Sequence, residues 1–234
     1  MKKILIITYA LNDEVDILSL EKTKDECEKN WLDRLKPIRR FIQKHSLLKD
    51  REVVFCETGV GKVNSYSTLK IVLETTKRYI ERYSDLEETE ITVLNIGTAA
   101  SVNEEPGIVV WPSRYIDRDL VKIGGKYLEK SEYWIGAETG NKEYSCNSGD
   151  TFVTDPEGAY QMRDGFTAIC DMEAFQQARL CMTYPKKPID FICVKFITDK
   201  IGDNSMKDWE EMLEEARNEL TNIASWYICD TYRD

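Results

Sequence analysis

The chain has 234 residues, with 32 Lys and Arg against 42 Asp and Glu, and a formal charge of -10 at pH 7. That length accommodates one sizeable core, so one domain over 1–234 is expected, and the acidity opposes an electrostatic grip on nucleic acid or on anionic membrane surfaces. His45 is the only histidine, which excludes sites needing two and disfavours Ser/His and Cys/His triads, leaving carboxylates to carry any catalysis.

The opening residues, MKKILIITYALNDEVD, contain an apolar run too short for a secretory signal, and it meets Asn12, Asp13 and Glu14 at once. Ile4 to Thr8 therefore predicts a central strand buried on both faces, in a cytoplasmic protein. The acids behind it suit either the first turn of a helix or a crevice at the strand's carboxyl end. Residues 17 to 47 are charged and amphipathic, with Leu18, Trp31, Leu35, Ile38 and Ile42 as anchors and a break at Pro37. The seven cysteines are odd in number and never form a Cys-x-x-Cys pair, a pattern of buried free thiols.

Arg51 to Glu57 predicts the next strand, running into Thr58-Gly59-Val60-Gly61-Lys62. Walker spacing is absent and Val63 follows the lysine, so a tight turn into a helix over Val63 to Tyr83 is the better account than a triphosphate loop. After an acidic linker, Ile91 to Asn95 forms a strand that ends in Gly97-Thr98-Ala99-Ala100-Ser101, small residues that permit close approach to the backbone. Gly107 to Pro112 predicts another strand, followed by Arg114 to Asp119, a Gly124-Gly125 turn, an irregular stretch over 126–147 and a short strand over Ser148 to Val153. Taken alone, Phe152 is a core aromatic.

The chain is organised around Ala168 to Asp203. A strand ending in Asp171 and Glu173, a helix, and a strand over Phe191 to Ile197 ending in Thr198-Asp199 place carboxylates at two strand ends, where open α/β sheets form their ligand crevice. Ser205 then opens a covering helix whose apolar positions Trp209, Met212, Leu213, Ala216, Leu220, Ile223 and Tyr227 keep the 3.6 period. No apolar run reaches transmembrane length.

In order, these pieces resemble the nucleoside phosphorylase and nucleosidase superfamily, most closely its methylthioadenosine/S-adenosylhomocysteine nucleosidase branch. The matching segments are the first strand with its trailing acids, Thr58 to Asn64, Asn95 to Ala99, Arg114-Tyr115 with Asp117, Ser148 to Phe152, Asp171 to Ala174, and Thr198-Asp199. The resemblance implies an α/β three-layer sandwich around a twisted mixed sheet, a small-molecule nucleoside substrate, no metal or other cofactor, and a homodimer. Asp199 matches the general acid that protonates the purine at N7, Glu173 the carboxylate that holds the ribose hydroxyls, and Met172 the residue packing on the sugar. Phe152 matches the aromatic stacked on the base, and Val153 the neighbour whose backbone reads its edge. Glu14, with Asp13 as the fallback, matches the carboxylate that orients water. Thr98, Ala99, Thr198 and Lys195, which replaces the usual arginine, complete the expected substrate-binding set.

The chemistry calls for the same groups. Cleaving the bond from C1′ to the base leaves an oxocarbenium-like sugar and an anionic purine, so an acid at the base and carboxylates near the sugar stabilise both charges. An Asp199 that donates near neutral pH needs a raised pKa. Asn95 stands where superfamily phosphorylases place a phosphate-gripping arginine, favouring water as nucleophile. Phosphorolysis through Arg114 or Lys62, and a non-catalytic nucleoside-binding domain, are the alternatives.

Overall fold

The computed structural model describes residues 2–35, 51–83, 89–121, 132–134, 144–159, 165–185 and 189–233. Pro37, Ile38, Ile42, His45, the Gly124-Gly125 turn and the side chains of Trp31 and Leu35 lie outside what is described.

Among the described residues nine strands form one mixed sheet: β1 (Lys2–Tyr9), β2 (Arg51–Glu57), β3 (Thr89–Ser101), β4 (Val109–Val110), β5 (Arg114–Asp117), β6 (Glu132–Trp134), β7 (Tyr144–Ser148), β8 (Thr167–Asp171) and β9 (Asp190–Lys200). The order runs β2-β1-β3-β8-β7-β5-β6, with β9 pairing β3 and β4. β1 lies parallel to β2 and β3, and β9 lies parallel to β3. At its far end β3 turns to pair antiparallel with β8 through Ala100 and Ser101, so the carboxyl ends of β3, β8 and β9 converge.

Helices α1 (Ile17–Leu35), α2 (Lys62–Tyr83), α4 (Ala174–Met182) and α5 (Ser205–Thr231) cover the sheet, and α3 (Arg118–Val121) is a single turn after β5. Alternation along β1 assigns the layers. Ile4 and Ile6 face Leu69, Leu73 and Ile80 of α2 with Ala174 and Phe175 of α4. Leu5 and Ile7 face Leu20 of α1 with Ala216, Leu220, Ala224 and Ile228 of α5. Each of these buried aliphatic side chains stabilises the fold by about 1.5–3 kcal/mol relative to exposure. The result is the three-layer sandwich with a central mixed sheet anticipated from the sequence.

Several boundaries differ from expectation. Leu18 is 79% exposed and Leu20 is the buried anchor, because the helix turns the neighbouring position toward the sheet. In the apolar run at 107–112 the strand is short, with Val109 and Val110 paired antiparallel to β9 and Gly107 and Ile108 exchanging backbone hydrogen bonds with Ile197 at 2.9 Å each. Tyr144 to Ser148 is the strand, parallel to both β5 and β8, and the chain leaves the sheet at Ser148, so 149–155 is loop. Ser205 begins α5, and its hydroxyl accepts the Gly202 N–H at 2.8 Å, closing the preceding turn. All seven cysteines are free thiols. Five are buried, and Cys27 and Cys229, on α1 and α5, lie with their sulfurs 2.7 Å apart.

Candidate active site

A cleft of about 100 Å³, open to solvent on one side, lies where β1, β3, β8 and β9 end, at the carboxyl edge where α/β sheets take their ligands. Glu14, Thr98, Ala99, Phe152, Val153, Met172, Glu173, Thr198 and Asp199, nine of the ten residues expected from sequence, line it together. Phe152 is 37% exposed on the loop after β7, so it is a wall of the cleft and not a core aromatic. Asp13 is exposed on the outside of the 3₁₀ turn Asn12–Glu14, whereas Glu14 is buried.

Asp199 reaches the cleft through an irregularity in the β3–β9 ladder. Ala99 pairs Ile197 but Ala100 pairs Asp199, so Thr198 is an inserted residue, a device that re-aims the side chain after it. The Asp199 carboxyl is only 1% exposed. Its Oδ1 accepts the Thr198 hydroxyl at 2.9 Å, and its Oδ2 has no hydrogen-bond partner among the described residues. Burial pushes its pKa up to about 6 against the Thr198 and Ser205 hydroxyls, which favour the ionised form.

Glu14 is held differently. Its Oε2 accepts the N–H groups of Ala10 at 3.0 Å and Leu11 at 3.2 Å, and its Oε1 accepts both the N–H and the hydroxyl of Thr98 at 2.9 Å each. Gly97 makes this possible. A Cβ there would stand 3.1 Å from Glu14 Oε1 and 3.2 Å from Lys195 Nζ, so the small residue lets both side chains cross the strand.

Glu173 occupies the position before α4, where its Oε1 accepts the Gly61 N–H at 2.9 Å. Burial above all, then the negative charges of Asp171 and Glu14, push its pKa up to about 8, although Lys195 and the Gly61 N–H oppose the shift. The Gly-x-Gly-Lys turn thus spends its N–H groups on protein carboxylates, Gly61 on Glu173 and Lys62 on Asp150 at 2.8 Å, as a structural turn and not a phosphate cradle.

Lys195 is the expected binding residue that the structure places elsewhere. It is 1% exposed and does not line the cleft; its Nζ pairs with Asp171 Oδ2 at 2.9 Å beneath the floor. Burial disfavours both charges, yet their mutual attraction wins: the lysine pKa rises and that of Asp171 falls, helped by hydrogen bonds from Ser148 at 2.5 Å and the Ala174 N–H at 2.8 Å. The pair fixes the β8–α4 corner that carries Met172 and Glu173.

Asn95, Arg114 and Lys62 stand away from the cleft. Asn95 donates to Thr8 Oγ1 at 3.3 Å, the Arg114 guanidinium lies over the Phe166 ring at 5.3 Å, and Lys62 is bound by Asp117 at 2.9 Å and Asp119 at 2.7 Å. The cleft also holds residues not expected there from sequence, Arg118 and Trp209 among them. Arg118 is fully buried and donates to the carbonyl and hydroxyl oxygens of Thr151. It lies across Gly149, where a Cβ would come within 2.6 Å of the guanidinium carbon. Trp209 Nε1 donates to Thr98 Oγ1 at 3.1 Å.

A floor of small residues, an aromatic wall and buried carboxyl groups with raised pKa are thus set at the strand ends of a three-layer α/β sandwich, the arrangement of a small-molecule site. No family model matches the chain. A 5′-methylthioadenosine/S-adenosylhomocysteine nucleosidase of Bacillus cereus (strain B4264) is 24% identical over 201 residues, covering 76% of this chain and 80% of the relative. The crystal structure of such a nucleosidase from Colwellia psychrerythraea 34H, in complex with adenine, has a TM-score of 0.64 at 17% identity and covers 99% of this chain and 96% of its own. That of the Neisseria meningitidis enzyme in complex with methylthio-immucillin-A has a TM-score of 0.61 at 16% identity, covering 98% of each chain. The resemblance seen in the motifs thus extends to overall sequence similarity and to the fold.

Proposed function

We propose that this chain is a purine nucleosidase that hydrolyses the N-glycosidic bond of an adenine nucleoside of the methylthioadenosine or adenosylhomocysteine type, releasing free base and sugar. The observation that carries the proposal is Asp199, a buried carboxyl with a pKa of about 6 and one oxygen unpartnered, set in the same cleft as Phe152. With the base stacked on Phe152 and its edge at the Val153 backbone, the Asp199 proton goes to purine N7. The bond from N9 to C1′ breaks with its electron pair passing into the base, and water adds to C1′. Glu173 and Met172 hold the sugar. Protonated acids of this kind typically contribute on the order of 10²–10⁴-fold in rate. No step requires a metal.

The names of the similar enzymes and the adenine bound in one of them support the substrate class. Incubation with a nucleoside panel, with and without phosphate, followed by mass spectrometry of free base, tests the proposal. Release without phosphate is the expected outcome, and ligand-induced thermal stabilisation without release would mean a binding module instead. Arg118 favours phosphorolysis as the second reading, since it is the only cationic side chain among the described residues lining the cleft. Release only with phosphate would establish it.

A homodimer is also proposed. It is supported by Val63 and Ile71, 72% and 67% exposed at an eight-residue spacing on α2, where the paired copy would cover them. Light scattering on the purified chain measures this directly. Free thiols fit a cytoplasmic protein, and the sharing of one sheet by both cores fits a single domain. Among the described residues no helix is long and apolar enough to cross a membrane.

A further inference from the structure

An ionised carboxylate offers about four acceptor positions, and Glu14 fills four: the Ala10 and Leu11 N–H groups on Oε2, the Thr98 N–H and O–H on Oε1. Glu14 is 5% exposed, whereas Thr98 is the one partly exposed residue in the buried stretch from Val93 to Ser101. A water in the cleft therefore meets the Thr98 hydroxyl before it meets a free lone pair of Glu14. The hydroxyl has one proton and two acceptor positions. Its proton points to Glu14 at 2.9 Å, and one acceptor position takes the Trp209 indole N–H at 3.1 Å, which leaves one open toward the cleft.

From this geometry we infer that the Thr98 hydroxyl relays the proton of the attacking water to Glu14, and that Trp209 is a positioning residue that fixes the hydroxyl in the orientation the relay needs. The inference rests on the hydrolytic function proposed above. As the water oxygen bonds to C1′ and the bond from C1′ to N9 breaks, the water gives one proton to Thr98 Oγ1 while the Thr98 proton passes to Glu14 Oε1. The electron pair of the broken bond leaves with the purine, which has taken its proton from Asp199. The products are the C1′-hydroxylated sugar and neutral base, with Glu14 protonated and Asp199 ionised. Exchange with solvent restores both. The indole N–H matters because it is a donor without acceptor capacity: it occupies a lone pair of Thr98 and cannot compete with Glu14 for the hydroxyl proton.

The test is steady-state hydrolysis, without phosphate, by Thr98→Val, Thr98→Ser, Trp209→Phe and the Thr98→Val/Trp209→Phe double variant, with thermal melting of each to verify folding. Valine keeps the shape and the N–H to Glu14 but removes the relay, so kcat falls about 10²-fold with KM nearly unchanged, and serine recovers most of that loss. Phenylalanine keeps the ring and removes one neutral hydrogen bond, so kcat falls roughly 5–10-fold. Because Trp209 acts through the hydroxyl, its substitution costs nothing further in the valine background. Wild-type-like turnover by Thr98→Val, or a tryptophan effect that persists in full in the double variant, overturns the relay and leaves the nucleosidase standing. A wild-type chain that releases no base from any nucleoside overturns both.

Discussion

Two clusters of carboxylates sit a short distance apart at strand ends, with opposite electrostatics. Asp117, Asp119 and Asp150 surround Lys62, whose Nζ lies 2.9, 2.7 and 3.9 Å from them, and Asp119 has its pKa lowered by that ammonium despite its partial burial. Glu14, Glu173 and Asp199 share the cleft, where the one cation among the described lining residues, Arg118, is bound to Thr151. There burial raises Glu173 to about 8 and Asp199 to about 6. Composition is alike and the consequence is not. Carboxylates paired with a cation are structural ties, while Glu173 and Asp199, buried without one, keep their protons to higher pH, as a group that gives a proton to a base must.

Removing the acid from the second cluster has the largest expected effect. Asp199→Asn keeps the side-chain shape and its acceptor oxygen for Thr198, and lowers kcat about 10³–10⁴-fold, measured as base release. The pH profile sharpens the assignment: kcat/KM of the wild type falls as pH rises through about 6, where Asp199 loses its proton, and this limb is absent from the residual activity of the variant.

Lys195→Met is next, and it converts a paired carboxylate into an unpaired one. Asp171 keeps its bonds from Ser148 and Ala174 but is left as a buried charge without its counter-ion, a loss of about 3–5 kcal/mol, or roughly 6–20 °C in Tm for a chain of this size. The Lys195→Met/Asp171→Asn pair recovers most of the loss in a melting experiment, because no unpaired charge remains.

Glu173→Gln moves stability the other way. The folded pKa of about 8 lies above the ordinary 4.5, so between those values the native state holds a proton that the unfolded chain has released. Stability of the wild type is then full below pH 4.5 and falls as pH rises toward 8. An amide has no such penalty. The variant should lose activity yet gain stability relative to wild type, by nothing at pH 4 and on the order of a few kcal/mol at pH 8.5, as read from denaturant melts at the two pH values.

How much of this was legible in the sequence follows from the range of the interactions concerned. Asp199 and Glu173 end or follow apolar strands, and a strand end is a local signal that also implies a crevice. The covering role of α5 was visible from its 3.6 period, but that period assigns Trp209 only an apolar position, and nothing near residue 209 announces that its N–H reaches Thr98, 111 residues earlier. Arg118 enters the cleft because β5 and β7 lie in parallel register, Asp117 beside Ser148, which brings it over Gly149. β7 itself, Tyr-Ser-Cys-Asn-Ser, escaped notice because its buried polar groups are satisfied by partners and not by alternation: Asn147 donates to the Ala159 carbonyl at 2.8 Å and accepts from the Ser145 hydroxyl at 2.6 Å. Lys195 matched the family position, yet its ion pair with Asp171, not any contact with the cleft, defines its place.

The smallest effect belongs to the first cluster. Lys62→Met removes the ammonium that ties Asp117, Asp119 and Asp150, but Asp119 and Asp150 are 33% and 50% exposed, and the buried Asp117, 3% exposed, keeps the N–H groups of Asp119 at 3.1 Å and Leu120 at 3.2 Å on its Oδ1. Solvent screening limits the loss to about 1 kcal/mol, and added salt narrows the gap to wild type. The sign with pH is opposite to that at Glu173. The pKa of Asp119 is depressed below its ordinary 3.8 in the folded chain, so its contribution is present above that value and is lost as pH falls through the folded pKa. Wild type and Lys62→Met should therefore differ in Tm at pH 7 and converge as pH falls below 3.8 and through the depressed pKa of Asp119, with kcat for base release affected far less than by Asp199→Asn. A loss of kcat as large as that of Asp199→Asn would move Lys62 out of the structural cluster and into the chemistry, and with it erase the distinction between paired and unpaired carboxylates.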